Sequence, residues 1–202
     1  MTTPRVGCVI LAAGAGRRFG AVHHKLAASF EGKPLLQHVV DSVCASRAMS
    51  CTLVCGANAA ALLASVETRR CCVLCNPRWD DGIASSIRCG VAQHAHDDAC
   101  VFVVADQPLV SAADIDGLIR VFAAQRDGIA ALRASGVWGT PMLFPRSDFA
   151  ALTRLRGDHG AKRYAQSQKK RLQFVQAVNE DVFADVDRPE DLARLTRRHR
   201  RL

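Results

Sequence analysis

No stretch of the chain approaches the ~18 consecutive apolar residues that read as a membrane-spanning helix. The opening residues Met1-Thr2-Thr3-Pro4-Arg5 lead directly into an apolar strand and lack the long apolar segment of a signal peptide. A cytoplasmic protein with no membrane partner is expected. Aromatic residues are scarce, at 5%, so the core is expected from Val, Leu, Ile and Ala. Neither familiar phosphate fingerprint is present. The glycines at 14, 16 and 20 miss the dinucleotide spacing G-x-G-x-x-G by one place, and G-x-x-x-x-G-K-[ST] does not occur. No Ser/His pair is arranged as a nucleophile and its base. Internal repeats, linkers and low-complexity segments are also missing. The 202 residues fit one domain, 1–202, with a real core.

Cysteine, by contrast, is plentiful: nine, an odd number. Cys72 and Cys75 make a C-x-x-C, but Cys71-Cys72-Val73-Leu74-Cys75 reads as a strand, which points positions 72 and 75 to opposite faces. No second C-x-x-C completes a four-ligand set. The cysteines are read as small buried hydrophobes in a reducing compartment. The formal net charge is +8. It gathers at Arg17/Arg18, at Lys169-Lys170-Arg171 and in a basic tail over about 197–202. Without interleaved aromatics or a known binding motif, the tail reads as a solvated extension of the last helix rather than a nucleic-acid surface. A polyanionic small substrate explains the cations of the loop equally well.

Strands and helices alternate, which predicts an α/β domain with a largely parallel sheet. Strands are expected at about 6–11, 51–55, 71–75, 101–104 and 172–178. Helices are expected at about 34–46, 58–66, 84–95, 112–125, 147–154, 160–168 and from 189. Two or three short strands fill 128–145. The run Val101-Phe102-Val103-Val104 is the most apolar and is expected at the sheet centre.

The chain's main chemical signal lies between Val9 and Lys25. Val9-Ile10-Leu11 ends a buried strand, and Ala12, Ala13, Gly14, Gly16 and Gly20 leave the following backbone open. Arg17, Arg18 and Lys25 add positive charge. Glycine lets a phosphate approach main-chain N–H groups, so such a loop suits a nucleoside triphosphate. An ordinary glycine-rich turn with solvated arginines is the alternative. Asn76 ends a strand, and Ser85 or Ser86 stands at a helix start, either as a cap or as a holder of base or phosphate. Asp106 follows the central strand directly. Asp114 is better placed to support the next helix, which leaves Asp106 free to bind Mg²⁺. Asp185 and Asp187 alternate in an extended segment before Pro189, so both point one way and either could complete a site with Asp106.

Taken together these residues resemble the MobA-like nucleotidyltransferases. Leu11-Ala12-Ala13-Gly14 through Arg17, Arg18, Phe19 and Gly20 is similar to L-A-[AG]-G-x-[SG]-x-R-[MF]-G, followed by Lys25. The L-A-A-G form looks like the molybdenum cofactor cytidylyltransferase branch. Asn76, Gly82 and Ser86 match N-x-x-[WY]-x-x-G-x-x-x-S; Asp106-Gln107-Pro108 matches D-[MQ]-P; Gly139-Thr140-Pro141 matches G-x-P with Thr in place of the usual His or Asn. Gly157-Asp158-His159-Gly160-Ala161-Lys162 is similar to G-D-x-G-A-R, and Asp185-Val186-Asp187-Arg188-Pro189-Glu190-Asp191-Leu192 to D-[IV]-[DN]-T-P-E-D-L. His23 and His24 lengthen the segment before Lys25.

The resemblance implies a Rossmann-like three-layer sandwich of the nucleotide-diphospho-sugar transferase type. It implies nucleotide contacts at Leu11, Ala12, Ala13, Gly14, Gly16, Arg17, Lys25, Asn76, Gly82 and Ser86, and acceptor contacts at Gly139, Thr140, Pro141 and Asp158. For Asp158, capping of the following helix is the competing role. Mg²⁺ would sit on Asp106 with Asp187, or Asp185, completing the site. Arg17 (or Arg18), Lys25 and Asp106 would be catalytic. The implied donor is CTP and the implied acceptor is molybdenum-bearing molybdopterin, with an apo-molybdoenzyme as a possible downstream partner. A sugar phosphate acceptor, or a carrier role without catalysis, is the alternative.

Overall fold

The structure, a computed structural model, describes residues 3–14, 19, 24–56 and 59–199. Strand β1 (Val6–Ala12) leads to a two-strand ribbon, β2 (Ser29–Phe30) and β3 (Lys33–Pro34), and then to α1 (Leu35–Ala45). Next come β4 (Ser50–Cys55), α2 (Ala59–Ala64), β5 (Cys71–Cys75), α3 (Ile83–Gln93), β6 (Ala99–Val104) and α4 (Ala112–Ala124). The hairpin β7 (Ile129–Ala134) and β8 (Val137–Pro145) follows, then α5 (Phe149–Leu152), α6 (Ala161–Ser167), β9 (Leu172–Gln176) and α7 (Pro189–His199).

Seven strands form one sheet in the order β5-β4-β1-β6-β8-β7-β9, which puts β6 at its centre, as its apolar run demands. Only β8 runs against its neighbours, and β9 returns parallel to β7. The hairpin turn is Ser135-Gly136, both at positive φ (48° and 79°). That two-residue geometry matches strand twist.

The strands read as continuous apolar runs because both faces of the sheet are covered. Cys8 and Ile10 of β1, with Val101 and Val103 of β6, pack beneath α1, α2 and α4. Val9 of β1, with Cys100 and Phe102 of β6, packs beneath α3, α5 and α6. The inward face of α1 is Leu35, Leu36, Val39, Val40 and Val43, all buried, with Cys44 half-buried. A third cluster, Phe30, Leu35, Val186 and Leu195, pins α7 and the segment before it to the ribbon.

Some boundaries contract. The 58–66 helix shortens to α2, the 172–178 strand to β9, and the 147–154 helix to a 3₁₀ turn at Arg146–Asp148 followed by α5. The cysteine reading holds for Cys8, Cys51, Cys55 and Cys100, which are buried, but not for Cys72 and Cys75, which are exposed on the edge strand. Arg171 is not part of a solvated cationic patch: its guanidinium forks onto Asp148 at 2.8 and 3.1 Å. Asp148 is 3% exposed and also accepts from the Tyr164 hydroxyl. The final basic residues extend the last helix, as expected, as far as His199.

Candidate active site

Strand β1 connects through α1 to β4 on one side, while its other neighbour is β6. Chains leaving β1 and β6 therefore diverge at their C-terminal ends, and in open α/β sheets ligands settle in that crevice. Ala13 and Gly14 follow β1; Ala105 and Asp106 follow β6, with the Ala105 N–H donating to the Leu11 carbonyl at 3.2 Å. A cavity of about 560 Å³ opens there, a volume suited to a small-molecule ligand. Of the residues singled out in the sequence, Leu11, Ala12, Ala13, Gly14, Lys25, Gly82, Ser86, Asp106, Asp158 and Asp187 line it.

Lys25 begins a short 3₁₀ turn capped by His24, whose Nδ1 accepts from the Leu26 N–H at 3.3 Å. His24 thus acts locally, holding the turn that aims Lys25. Burial and the neighbouring ammonium both lower the His24 pKa. The Lys25 ammonium reaches across to Asp106 Oδ2 at 2.7 Å and Asp187 Oδ1 at 2.8 Å. Burial disfavours its charge, but the two carboxylates outweigh that and hold its pKa above the ordinary lysine value. Lys25 therefore clamps two acids that lie 81 residues apart in the chain.

Asp185 has different partners. Its Oδ1 accepts from Gln107 Nε2 at 2.9 Å, and Gln107 Oε1 in turn accepts from the Thr140 hydroxyl at 3.2 Å. Burial pushes the Asp185 carboxyl up; the Gln107 amide opposes this, while Asp106 and Asp187 add to it. Val186, between the two aspartates, is wholly buried and its N–H donates to the Asp106 carbonyl at 3.1 Å. This bond sets both alternate carboxylates beside Asp106. The three acids do not converge on a single point: among the described residues, no three-carboxylate group brings its oxygens within 4.8 Å of one another.

The wall opposite is built by α3. Asn76 is buried, donates to Ser85 Oγ at 2.7 Å and Ser86 Oγ at 3.1 Å, and accepts from the Arg78 N–H at 3.0 Å. It stands behind the cavity wall, with its amide committed to the two serines. Neither serine caps the helix; Gly82 occupies that position. Gly82 sits at φ 88°, and a Cβ there would collide with the Gly157 carbonyl, so only glycine allows the two loops to touch. Asp158 does not cap α6, whose cap residue Gly160 makes no side-chain bond; it faces the cavity instead.

Gly139, Thr140 and Pro141 lie on β8 and do not line the cavity; Thr140 donates to Gln107, the residue after the lining Asp106. Gly16 and Arg17, with Arg18, lie outside the described residues. Sequence reasoning missed Gln107 as the link between Asp185 and Thr140, and missed Trp79 and Asp80 in the lining. The D-Q-P match held the first signal, since an amide between two acids has hydrogen bonds to make.

Among the described residues, the cavity lining carries four aspartates, Asp80, Asp106, Asp158 and Asp187, against the one ammonium of Lys25. Asp106 and Asp187 already hold one cationic group between them. An all-oxygen pair of this kind fits a hard divalent cation, which takes one or two carboxylates and completes its shell with water or substrate phosphate.

Residues 8–172 match the family model of the MobA-like NTP transferase domain. The chain is 26% identical over 202 residues to the nicotine blue oxidoreductase of Paenarthrobacter nicotinovorans, covering 95% of this chain and 97% of the relative. Among solved structures, it is similar to a homologue of Mycobacterium tuberculosis Rv0371c from Mycobacterium sp. strain JC1, with TM-score 0.85, 25% identity and 98% coverage of each chain. It is also similar to Rv0371c of Mycobacterium tuberculosis H37Rv in complex with manganese, with TM-score 0.80, 26% identity, and coverage of 96% and 98%.

Proposed function

The chain belongs to the MobA-like NTP transferase domain family, and from that premise we propose that it moves a nucleoside monophosphate from an NTP to a phosphorylated acceptor, releasing pyrophosphate. CTP is the proposed donor and molybdenum-bearing molybdopterin the proposed acceptor. The carrying observation is the clamp at the switch point: Asp106 and Asp187, from distant parts of the chain, share one cationic group beside the open backbone of Ala13 and Gly14.

A lining this acidic repels a triphosphate unless cations accompany it. Asp106 and Asp187 would hold Mg²⁺ or Mn²⁺; manganese is present in the Rv0371c complex. When bound, the ion supplies charge neutralisation and polarisation of phosphate oxygens. The remaining work falls to the chain. Lys25, turned from the carboxylates toward substrate, offsets negative charge on the leaving phosphates, and Arg17 from the glycine loop adds a second cation. Main-chain N–H groups near Gly14 position the triphosphate. Ser86 and Gly82 shape the wall for the nucleoside. Asp158, with the Gly157 loop fixed against α3, faces the acceptor side, while Gln107 holds Asp185 in place. The acceptor phosphate is already ionised at neutral pH, so no general base is required. Catalysis then rests on positioning and charge compensation.

The test is pyrophosphate release by purified protein with Mg²⁺ or Mn²⁺ and each NTP, with and without molybdenum-loaded molybdopterin. Release with CTP only in the presence of that acceptor supports the reading. Release with another NTP and a sugar phosphate keeps the reaction class and replaces the substrates. Binding of CTP or molybdopterin without turnover favours a carrier that serves an apo-molybdoenzyme. The name of the relative supplies a redox alternative, and reduction of a nicotine-derived pigment without any NTP would favour it.

A further inference from the structure

Away from the cavity, the same sheet gathers thiols. Cys8 of β1, Cys51 of β4 and Cys71 of β5 are registered neighbours across three adjacent parallel strands. All belong to the face covered by α1, which contributes Cys44. The Sγ atoms of Cys44, Cys51 and Cys71 lie within 4.8 Å of one another. Cys71 Sγ is 2.8 Å from that of Cys51 and 3.9 Å from that of Cys44. All three are free thiols.

We propose that Cys44, Cys51 and Cys71 form a three-thiolate site for a soft d¹⁰ metal ion, Cu(I). Packing alone does not call for this grouping. Thiols are weak hydrogen-bond partners, and Val or Ala would fill the same space without bringing three reactive atoms together. The donors come from three separate elements, so their convergence is a property of the fold. Sulfur-only donors select soft ions such as Cu(I). With metal–sulfur bonds of about 2.3 Å, a trigonal set places sulfurs about 4.0 Å apart. The Cys44–Cys71 separation of 3.9 Å already has that spacing. The Cys51–Cys71 pair has to open by about 1 Å, which side-chain rotation supplies.

An entry path exists. Cys44 and Cys71 are only partly buried, β5 is an edge strand, and Cys51 forms the floor. Arg69 and Arg70 immediately precede Cys71, so cationic charge borders the mouth and offsets the negative charge of a copper–thiolate group. Cys8, wholly buried in the same row, stays outside the group of three. The set is therefore trigonal rather than the tetrahedral four that structural zinc takes.

The site is distinct from the acidic cavity. Cys8 is opposite Val101 near the start of β6, whereas Asp106 follows its end. Five residues of strand separate the two levels by roughly 16 Å. The thiol site takes a soft ion and the aspartates a hard one, so one does not compete for the other's ligand.

The test is anaerobic titration of the reduced full-length chain with Cu(I) against a competing copper chelator, followed by thiolate-to-copper charge-transfer absorption. One ion per chain is expected. Cys71→Ser and Cys44→Ser should lose the absorption band and weaken binding by more than the roughly 10–100-fold typical of an outer-shell change. Cys72→Ser, on the same strand but outside the group, should bind as wild type does, and so should Asp106→Asn. Cys44 is half-exposed on α1, so its serine variant retains the fold, checked by circular dichroism. No copper in the wild-type protein, or unchanged binding in Cys44→Ser and Cys71→Ser, overturns the proposal. Tetrahedral Zn²⁺ binding that is lost in Cys8→Ser overturns the three-thiolate copper assignment.

Discussion

Replacing Lys25 with Met tests the clamp directly. Methionine keeps most of the length and apolar stem of lysine and removes the charge. The ammonium lies 2.7 and 2.8 Å from its two carboxylates, its side chain is 10% exposed, and those of Asp106 and Asp187 are 24% and 48% exposed. Removing one partner of a fully buried ion pair costs about 3–5 kcal/mol, whereas exposed pairs contribute about 0–1 kcal/mol. This clamp is intermediate, since one acid is half in solvent, so about 2–3 kcal/mol is expected. For a chain of this length that lowers the Tm by roughly 4–12 °C. Adding Mn²⁺ should then restore stability further in Lys25→Met than it stabilises the wild type. The ion enters between carboxylates that no longer hold an ammonium, and ligand binding stabilises by RT ln(1 + [L]/Kd). Turnover should still fall by about 10²–10³, the scale of losing one charge-stabilising group. Differential scanning fluorimetry across a Mn²⁺ series reads the first two effects. A variant as stable as wild type, or one with no added Mn²⁺ response, would refute the clamp as the cation position.

Asp106→Asn should abolish pyrophosphate release while leaving the fold intact, and near-normal turnover would rule out Asp106 as the metal ligand. Asp185→Asn should raise the Tm at pH 7, because the folded protein holds that carboxyl above its ordinary value and so disfavours its ionised form. The native state binds the extra proton, so the gain is full above the raised pKa and disappears below the ordinary value of 3.8; paired melts at pH 7 and at about pH 3.5 check the sign. Gly82→Ala should destabilise by about 2 kcal/mol or more, because it combines a positive φ of 88° with a collision against the Gly157 carbonyl. Arg171→Ala leaves the buried Asp148 carboxylate without its cation and should cost about 3 kcal/mol, measured by urea unfolding.

Strand and helix order was legible in the sequence because the local signals agree with one another. Apolar runs bounded by turns marked β1, β4 and β6, and Ser111 with Asp114 forms the capping box that opens α4. This leaves Asp106, just past the central strand, free for other work, as the sequence implied. Alternation of Asp185 and Asp187 about a buried Val186 was also readable, since period two follows from extended backbone alone. Proximity was not readable. Lys25 reads along the chain as a companion of glycines and arginines; in space it also meets acids arriving from positions 106 and 187. Asn76 matched a pocket motif, and the turn after β5 directs its amide to Ser85 and to Ser86, which itself lines the cavity.

Periodicity, capping and glycine placement act over a few residues, and they were enough to specify the α/β class, the family and the residue types at the mouth of the sheet. Packing in three dimensions is what makes Lys25 bridge two aspartates, Gln107 join Asp185 to Thr140, and cysteines from α1, β4 and β5 meet on one face. Those are contacts across the sheet order and between layers, and their energy depends on separation in space rather than along the chain.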